Sequence, residues 1–293
     1  MTRILVIGPG AIGCAVGAAL IEAGHEVTFC SRQSFARVSV QKSGEAEKTF
    51  PARVVTTENE VAPADWVLLC VKAHQVTSAA GWLRAAVAPQ TKLAVLQNGV
   101  EQREGAEAFV PKGTTVVPVV VELPARRTAP GEVTWRRCAL LTVSGDVAGK
   151  EFCGLFAGSF VTASAVDDLV TVAWTKLCLN APSGAILALT GQPMRVFHKP
   201  GVADVARAIL RECIAVGRAE GAKLENSLIE RQMEAFMNAA PDEGNSMYAD
   251  RMAGRETEWD ARNAVIVRKG ARHGIAVPVS AALVPLLAAL KGS

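Results

Sequence analysis

Three blocks of this 293-residue chain combine residue types that can do chemistry. The first is Gly8, Pro9, Gly10, Ala11, Ile12 and Gly13, a G-x-G-x-x-G run that follows the apolar residues 3–7. Glycine at the first position permits a tight turn, at the second lets the backbone approach a pyrophosphate, and at the third lets helix pack closely on strand. Amides at the start of the following helix then face the phosphates, where the helix dipole favours negative charge. The spacing alone is a weak signal. After a predicted strand and at the opening of a predicted helix, it points to a bound dinucleotide.

The end of the second predicted strand bears on which dinucleotide that is. A carboxylate there would hydrogen-bond a ribose 2′-hydroxyl, but this strand ends in Cys30, Ser31 and Arg32. The Arg32 guanidinium can grip a 2′-phosphate with two parallel hydrogen bonds, which predicts NADP(H) over NAD(H). Lys72, just past the apolar run 66–71, puts a second cation on the same carboxyl edge of the sheet, where ligands of open α/β folds lie; a solvated surface charge is the competing reading. Asn98 follows the run 93–97 toward that edge, although an asparagine before Gly99 also serves simply as a turn former.

The second block is 174–180, where Lys176 interrupts an otherwise apolar helical stretch and shares a face with Asn180, four residues on. A lysine so placed either snorkels to the surface or is held partly buried, which lowers the pKa of its ammonium and suits it to donate a proton. Pro182 and Gly184 are expected to interrupt and bend the helix just beyond. In the third block, 245–260, Thr257 and Asp260 fit a capping box with Asp in place of Glu or Gln. Glu258 is favourable at a helix start by dipole alone, so spacing does not single it out.

These blocks must be carried by two kinds of architecture. Up to about residue 166, short apolar runs at 3–7, 26–30, 53–56, 66–71 and 93–97 alternate with helical stretches at 11–23 and 75–88, the pattern of β-α-β units around a largely parallel sheet. Strand-rich sequence follows at 114–121 and 138–143, around a turn at 129–131. From 168 onward the period is helical, at 168–190, 202–221, 228–240, 257–274 and 280–290. The expectation is an α/β domain with a largely parallel sheet over 1–167, followed by an all-α domain over 168–293.

Composition narrows the function class. Half the residues are hydrophobic and 20% charged, an ordinary globular balance. A net charge of +3 makes no field that gathers nucleic acid or anionic lipid. Seven cysteines without a Cys-x-x-Cys pair read as reduced core residues of a cytoplasmic protein. The uncharged run 4–21 resembles a membrane span, but Pro9 and its four glycines argue against one. The four histidines lack metal-ligand spacing, and Arg126–Arg127 and Arg136–Arg137 read as solvated charge pairs.

Taken together, Gly8–Gly13, the run 71–76 with Lys72, Gln97–Asn98–Gly99, Lys176–Leu177 with Asn180, and Ser246–Met247 with Asp250, Gly254 and Thr257–Glu258 resemble the ketopantoate reductases (2-dehydropantoate 2-reductases) almost end to end. The resemblance implies a Rossmann domain joined to a helical domain like that of 6-phosphogluconate dehydrogenase-type enzymes, with the active site in the cleft between them. It implies Lys176 as proton donor and Glu258 as the site glutamate. Asn98 is implied as a contact of both cofactor and substrate, Asn180 and Ser246 as substrate contacts, and Arg32 and Lys72 as NADPH contacts. It also shows two departures: the family usually has asparagine four residues after Asn180, where this chain has Gly184, and a further asparagine in some members falls at or near Met194.

The expected function is NADPH-dependent reduction of a small 2-oxo acid to the 2-hydroxy acid, with 2-dehydropantoate or a close analogue as substrate. Two alternatives stand beside it: a related 2-hydroxy acid dehydrogenase with a branched or aromatic substrate, and a non-catalytic NADP(H)-sensing protein. No nucleic-acid, membrane or metal partner is expected. The apolar stretch 281–290 is a candidate homodimer interface.

Overall fold

The computed structural model describes residues 1–290 and divides into two compact units, one of residues 1–98 and 102–169 and the other of 99–101 and 170–290. The first unit contains strands β1 (Arg3–Ile7), β2 (Glu26–Cys30), β3 (Arg37–Lys42), β4 (Lys48–Pro51), β5 (Arg53–Val55), β6 (Trp66–Leu69), β7 (Lys92–Val95), β8 (Thr115–Pro118), β9 (Val120–Glu122), β10 (Ala125–Ala129), β11 (Glu132–Trp135), β12 (Leu140–Ser144) and β13 (Thr162–Val166). Helices α1 (Ala11–Glu22), α2 (Ala80–Ala86), α3 (Gln102–Glu107) and α4 (Val147–Gly154) accompany them.

Six strands pair in parallel in the order β5-β2-β1-β6-β7-β8. The chain leaves β1 toward β2 on one side and returns to β6 on the other, so the order reverses between β1 and β6. Open α/β sheets bind ligands at such a switch point. The β1 side chains alternate between faces, as a strand period of two requires: Ile4 and Val6 join a core that includes α1, whereas Leu5 and Ile7 join a core that includes α2.

Two features of this unit depart from the sequence expectation. The stretch 75–88 is one helix by periodicity but forms 3₁₀ turns at Ala73–Gln75 and Thr77–Ala79 before α2 begins. Polar side chains bond the backbone there, Gln75 Oε1 accepting from Lys72 N–H at 3.3 Å and Ser78 Oγ donating to Gln75 O at 2.8 Å, in competition with helical pairing. A four-stranded sheet, β10-β11-β3-β4, also lies against α1.

The second unit is helical: α5 (Leu169–Thr190), α6 (Val202–Ala219), α7 (Ser227–Met237), α8 (Ser246–Met252), α9 (Val265–Arg272) and α10 (Pro278–Ala288), with a π-helical turn at Asp260–Ala264 leading into α9. On α5, Trp174, Leu177, Cys178 and Ala181 are buried at helical spacing and anchor the core. The helix runs unbroken through Pro182, contrary to the expected interruption. The proline lacks an N–H, and neighbouring groups tie this turn from outside the backbone ladder: Ser183 Oγ donates to Leu179 O at 2.8 Å and Asn263 Nδ2 to Ala181 O at 2.9 Å. α5 is long and apolar enough to cross a membrane by length and composition, yet 61% of its most apolar window is buried within the protein. In α10, Leu287 is buried and Leu286 is 55% exposed.

Candidate active site

The glycine run forms the connection from β1 to α1, and its three glycines have separate physical reasons. Gly8 has φ +84°, and a Cβ there would lie 2.4 Å from Val71 Cγ1 and 2.9 Å from Val71 N. Gly13 would place a Cβ 2.5 Å from Gly8 O. Both are required by the protein's own packing, in which the β1 and β6 crossovers touch. Gly10 differs, because a Cβ there meets no protein atom within 4 Å. That open space lies at the end of α1, whose first backbone hydrogen bond runs from Cys14 N–H to Gly10 O at 3.0 Å. The amides of Ala11, Ile12 and Gly13 precede that bond and have no partner within the helix.

This arrangement fits a dinucleotide: an unfilled approach at Gly10, a cluster of helix-end donors, and a position at the sheet's switch point. The remaining first-unit candidates sit at the carboxyl ends of neighbouring strands. Exposed Arg32 lies beyond β2, partly buried Lys72 beyond β6, and partly buried Asn98 beyond β7. The strand end before Arg32 is fixed by Ser31 N–H donating to Val55 O at 3.1 Å. The approach to Asn98 is fixed by Gln97 Nε2 donating to Val71 O at 2.8 Å. The turn after Asn98 requires glycine, since Gly99 has φ +97°.

The thiols near the cradle are inert. Burial pushes Cys14 up to about 11 and Cys30 up to about 12. Protonated thiols at neutral pH are neither nucleophiles nor metal ligands. All seven cysteines are free.

In the second unit, Lys176 and Asn180 are both partly buried on α5, beside the face that Trp174, Leu177, Cys178 and Ala181 turn to the core. Gly184, one turn further along, has a packing reason: a Cβ there would lie 2.6 Å from Met247 Sδ, and Met247 is fully buried. The thioether thus occupies space into which any longer side chain at 184 would have to grow. Met194 opens a 3₁₀ turn, donates its N–H to Glu243 O at 2.9 Å and packs on the helical core.

Ser246 is the first residue of α8, exposed at the helix start, where the preceding Asn245 Oδ1 accepts from Tyr248 N–H at 2.9 Å. Glu258 lies just before the π turn that leads into α9 and is 6% exposed. The expected capping box of Thr257 with Asp260 does not form. The turn at Asp260–Ala264 is π-helical, and the Asp260 carboxylate instead pairs with Arg268 Nη1 at 2.6 Å.

The residue that joins this cluster is one the sequence did not single out, Arg262. It is 3% exposed, and its Nη2 donates to Ser246 Oγ at 2.8 Å and to Glu258 Oε2 at 3.3 Å. The next residue, Asn263, ties the π turn to Ala181 on α5, and Met247, next to Ser246, packs at Gly184 on the same helix. Three elements bearing Lys176 with Asn180, Ser246, and Glu258 therefore converge around residues 181–184. The missed signal was an arginine four residues after a glutamate on one predicted helix, a spacing that ordinarily marks a surface pair but here is enclosed.

Both halves of the chain match known families. A family model described as Ketopantoate reductase PanE/ApbA matches residues 4–148, and one described as the C-terminal part of the same family matches residues 168–291. The chain is 44% identical over 290 residues to the 2-dehydropantoate 2-reductase of Caulobacter vibrioides, covering 98% of each. It is 40% identical over 289 residues to that of Mycobacterium tuberculosis, covering 98% of this chain and 97% of the other. The crystal structure of a 2-dehydropantoate 2-reductase from Geobacter metallireducens superposes with a TM-score of 0.90 at 27% identity, covering 99% of this chain and 100% of that one. With each half matched and relatives of this identity spanning nearly the full length, the chain belongs to the ketopantoate reductase family.

Proposed function

We propose that the protein is a 2-dehydropantoate 2-reductase that uses NADPH to reduce the 2-oxo acid to its 2-hydroxy acid. The observation that carries this reading is the pairing of a dinucleotide cradle left open at Gly10 with a second unit that gathers Lys176, Asn180, Ser246 and Glu258 on converging elements. Gly8 to Gly13 hold the pyrophosphate through backbone amides, Arg32 and Lys72 bind the 2′-phosphate, and Asn98 orients the nicotinamide end and the substrate. When bound, the cofactor supplies hydride to the carbonyl carbon.

The chain's own residues manage the oxygen. The Lys176 ammonium donates a hydrogen bond to the carbonyl oxygen, polarises it, and gives up its proton as negative charge develops there. Asn180 and Ser246 fix the acid so that its carbonyl meets that ammonium, and the Glu258 carboxylate orients the cationic groups around it. Sensing a nucleotide would need none of Lys176, Asn98 and Glu258, which weighs against a non-catalytic role. Seven free thiols favour a reducing, cytoplasmic setting.

Assay of a panel of 2-oxo acids with NADPH and with NADH tests this reading. The expected result is the highest kcat/KM for 2-dehydropantoate with NADPH. Equal or better use of NADH would defeat the cofactor assignment, and preference for an aromatic oxo acid would defeat the substrate assignment.

A further inference from the structure

We propose that Arg262 is a positioning residue that sets the direction of the Ser246 hydroxyl, turning it into a hydrogen-bond donor for the substrate carboxylate. The inference rests on the reductase reading above and deepens its account of substrate recognition. A serine hydroxyl has one proton to give and two lone pairs with which to accept. Arg262 carries no acceptor, so its 2.8 Å contact fixes Ser246 Oγ as the acceptor in that bond. Among the described residues, Ser246 donates to no protein group. Its proton is therefore directed to whatever lies outside, and Ser246 is exposed.

The guanidinium itself is enclosed. Arg262 is 3% exposed, and its Nε is buried with no hydrogen-bond partner. A buried donor left without a partner is costly and calls for an explanation. The same Nη2 that holds Ser246 also reaches Glu258, so one nitrogen keeps the serine and the glutamate in register. The π turn delivers it: Asp260–Ala264 brings Arg262 to Ser246, sixteen residues earlier in the chain, and to Glu258, four residues earlier. The chemistry so presented, a neutral donor backed by a buried cation, suits an anionic acceptor. The residue after Ser246, Met247, places its Sδ against Gly184, where this chain lacks the amide of an asparagine.

The test is a double-mutant cycle of Arg262→Lys and Ser246→Ala. Lysine keeps the buried positive charge beside Glu258, but its flexible stem lacks the rigid planar guanidinium that holds Nη2 where it reaches both Ser246 Oγ and Glu258 Oε2. For each variant, kcat, KM for 2-dehydropantoate, KM for NADPH and calorimetric binding of pantoate are measured. Each single change is expected to raise KM for the oxo acid and Kd for pantoate about tenfold, with KM for NADPH within twofold of wild type. In the Arg262→Lys background, Ser246→Ala should add no more than twofold, because the hydroxyl has already lost its direction. An undiminished tenfold effect of Ser246→Ala in that background overturns the proposal, as does an unchanged oxo-acid KM in folded Arg262→Lys protein. If Arg262→Lys does not fold, Arg262→Gln, which retains an amide donor, takes its place in the cycle with the same two outcomes. Wild-type protein inactive on 2-dehydropantoate would instead defeat the reductase reading itself.

Discussion

Gly8, Gly10 and Gly13 in the first unit and Ser246, Glu258 and Arg262 in the second are sites built on opposite principles. The cradle is made by leaving side chains out: two of its glycines are forced by contacts within the protein, and the third opens onto empty space. The second site is made by enclosing charge, with Glu258 and Arg262 each buried and bonded to the other. A site of the first kind depends on backbone shape and tolerates change wherever the protein does not need the room. A site of the second kind depends on every partner being present, because a buried charge left alone is costly.

Removing one partner of the enclosed pair breaks the comparison most severely. Glu258→Ala leaves the Arg262 guanidinium uncompensated and is expected to cost about 3–5 kcal/mol of stability, measured by urea unfolding. A loss below ~1 kcal/mol would mean that water or another group already screens the pair.

Gly184→Asn, which restores the residue usual in the family, meets Met247 Sδ at a distance of 2.6 Å from the first added carbon. Overpacking of this kind costs about 1–3 kcal/mol, and the cost should shrink in a Met247→Ala background. Equal costs in both backgrounds would show that the thioether is not what fills the space.

Gly10→Ala probes the cradle from the ligand's side. Its φ of −76° suits any L-residue and its Cβ meets nothing in the protein, so the melting temperature should hold while KM for NADPH rises about tenfold, equivalent to ~1.4 kcal/mol. Gly8→Ala is the contrast, since it must destabilise the fold itself through its positive φ and its clash with Val71. A Gly10→Ala enzyme with unchanged KM would place the pyrophosphate elsewhere.

The smallest effect belongs to a charge cluster away from either site. Burial pushes the Glu220 carboxyl up, but hydrogen bonds from Lys269 and His273 outweigh it and hold its pKa below the usual value. A depressed folded pKa gives stability that is present above the ordinary carboxylate range and lost as pH falls through the folded value. Glu220→Gln, which keeps an oxygen to accept from Lys269 Nζ, should therefore cost roughly 1 kcal/mol at neutral pH, and the difference from wild type should close as pH falls below the ordinary carboxylate range and through the folded value.

The same contrast explains what the sequence could tell. The cradle was legible because its signal is local: spacing of glycines, a strand before them and a helix after. Lys176 with Asn180 was legible for the same reason, four residues apart on one apolar helix. Strands β3 and β4 were not, since only Val38 and Val40 of β3 are apolar and fully buried, and β3 pairs with β11 far along the chain. α8 was too short to show a period. Arg262 stayed hidden because its meaning lies in the burial of its guanidinium and in its bond to Ser246, and neither is written in spacing. Glu258 entered only through resemblance, since its local sequence is equally that of a helix start.

The central claim is that Lys176 supplies the proton that completes reduction. Lys176→Ala protein, given saturating NADPH and 2-dehydropantoate in a single-turnover experiment and titrated separately with NADPH by fluorescence, tests it directly. The account predicts a rate lowered by roughly a hundredfold to ten-thousandfold with NADPH affinity within about twofold of wild type. A rate near that of wild type, with the cofactor bound equally well, would contradict it.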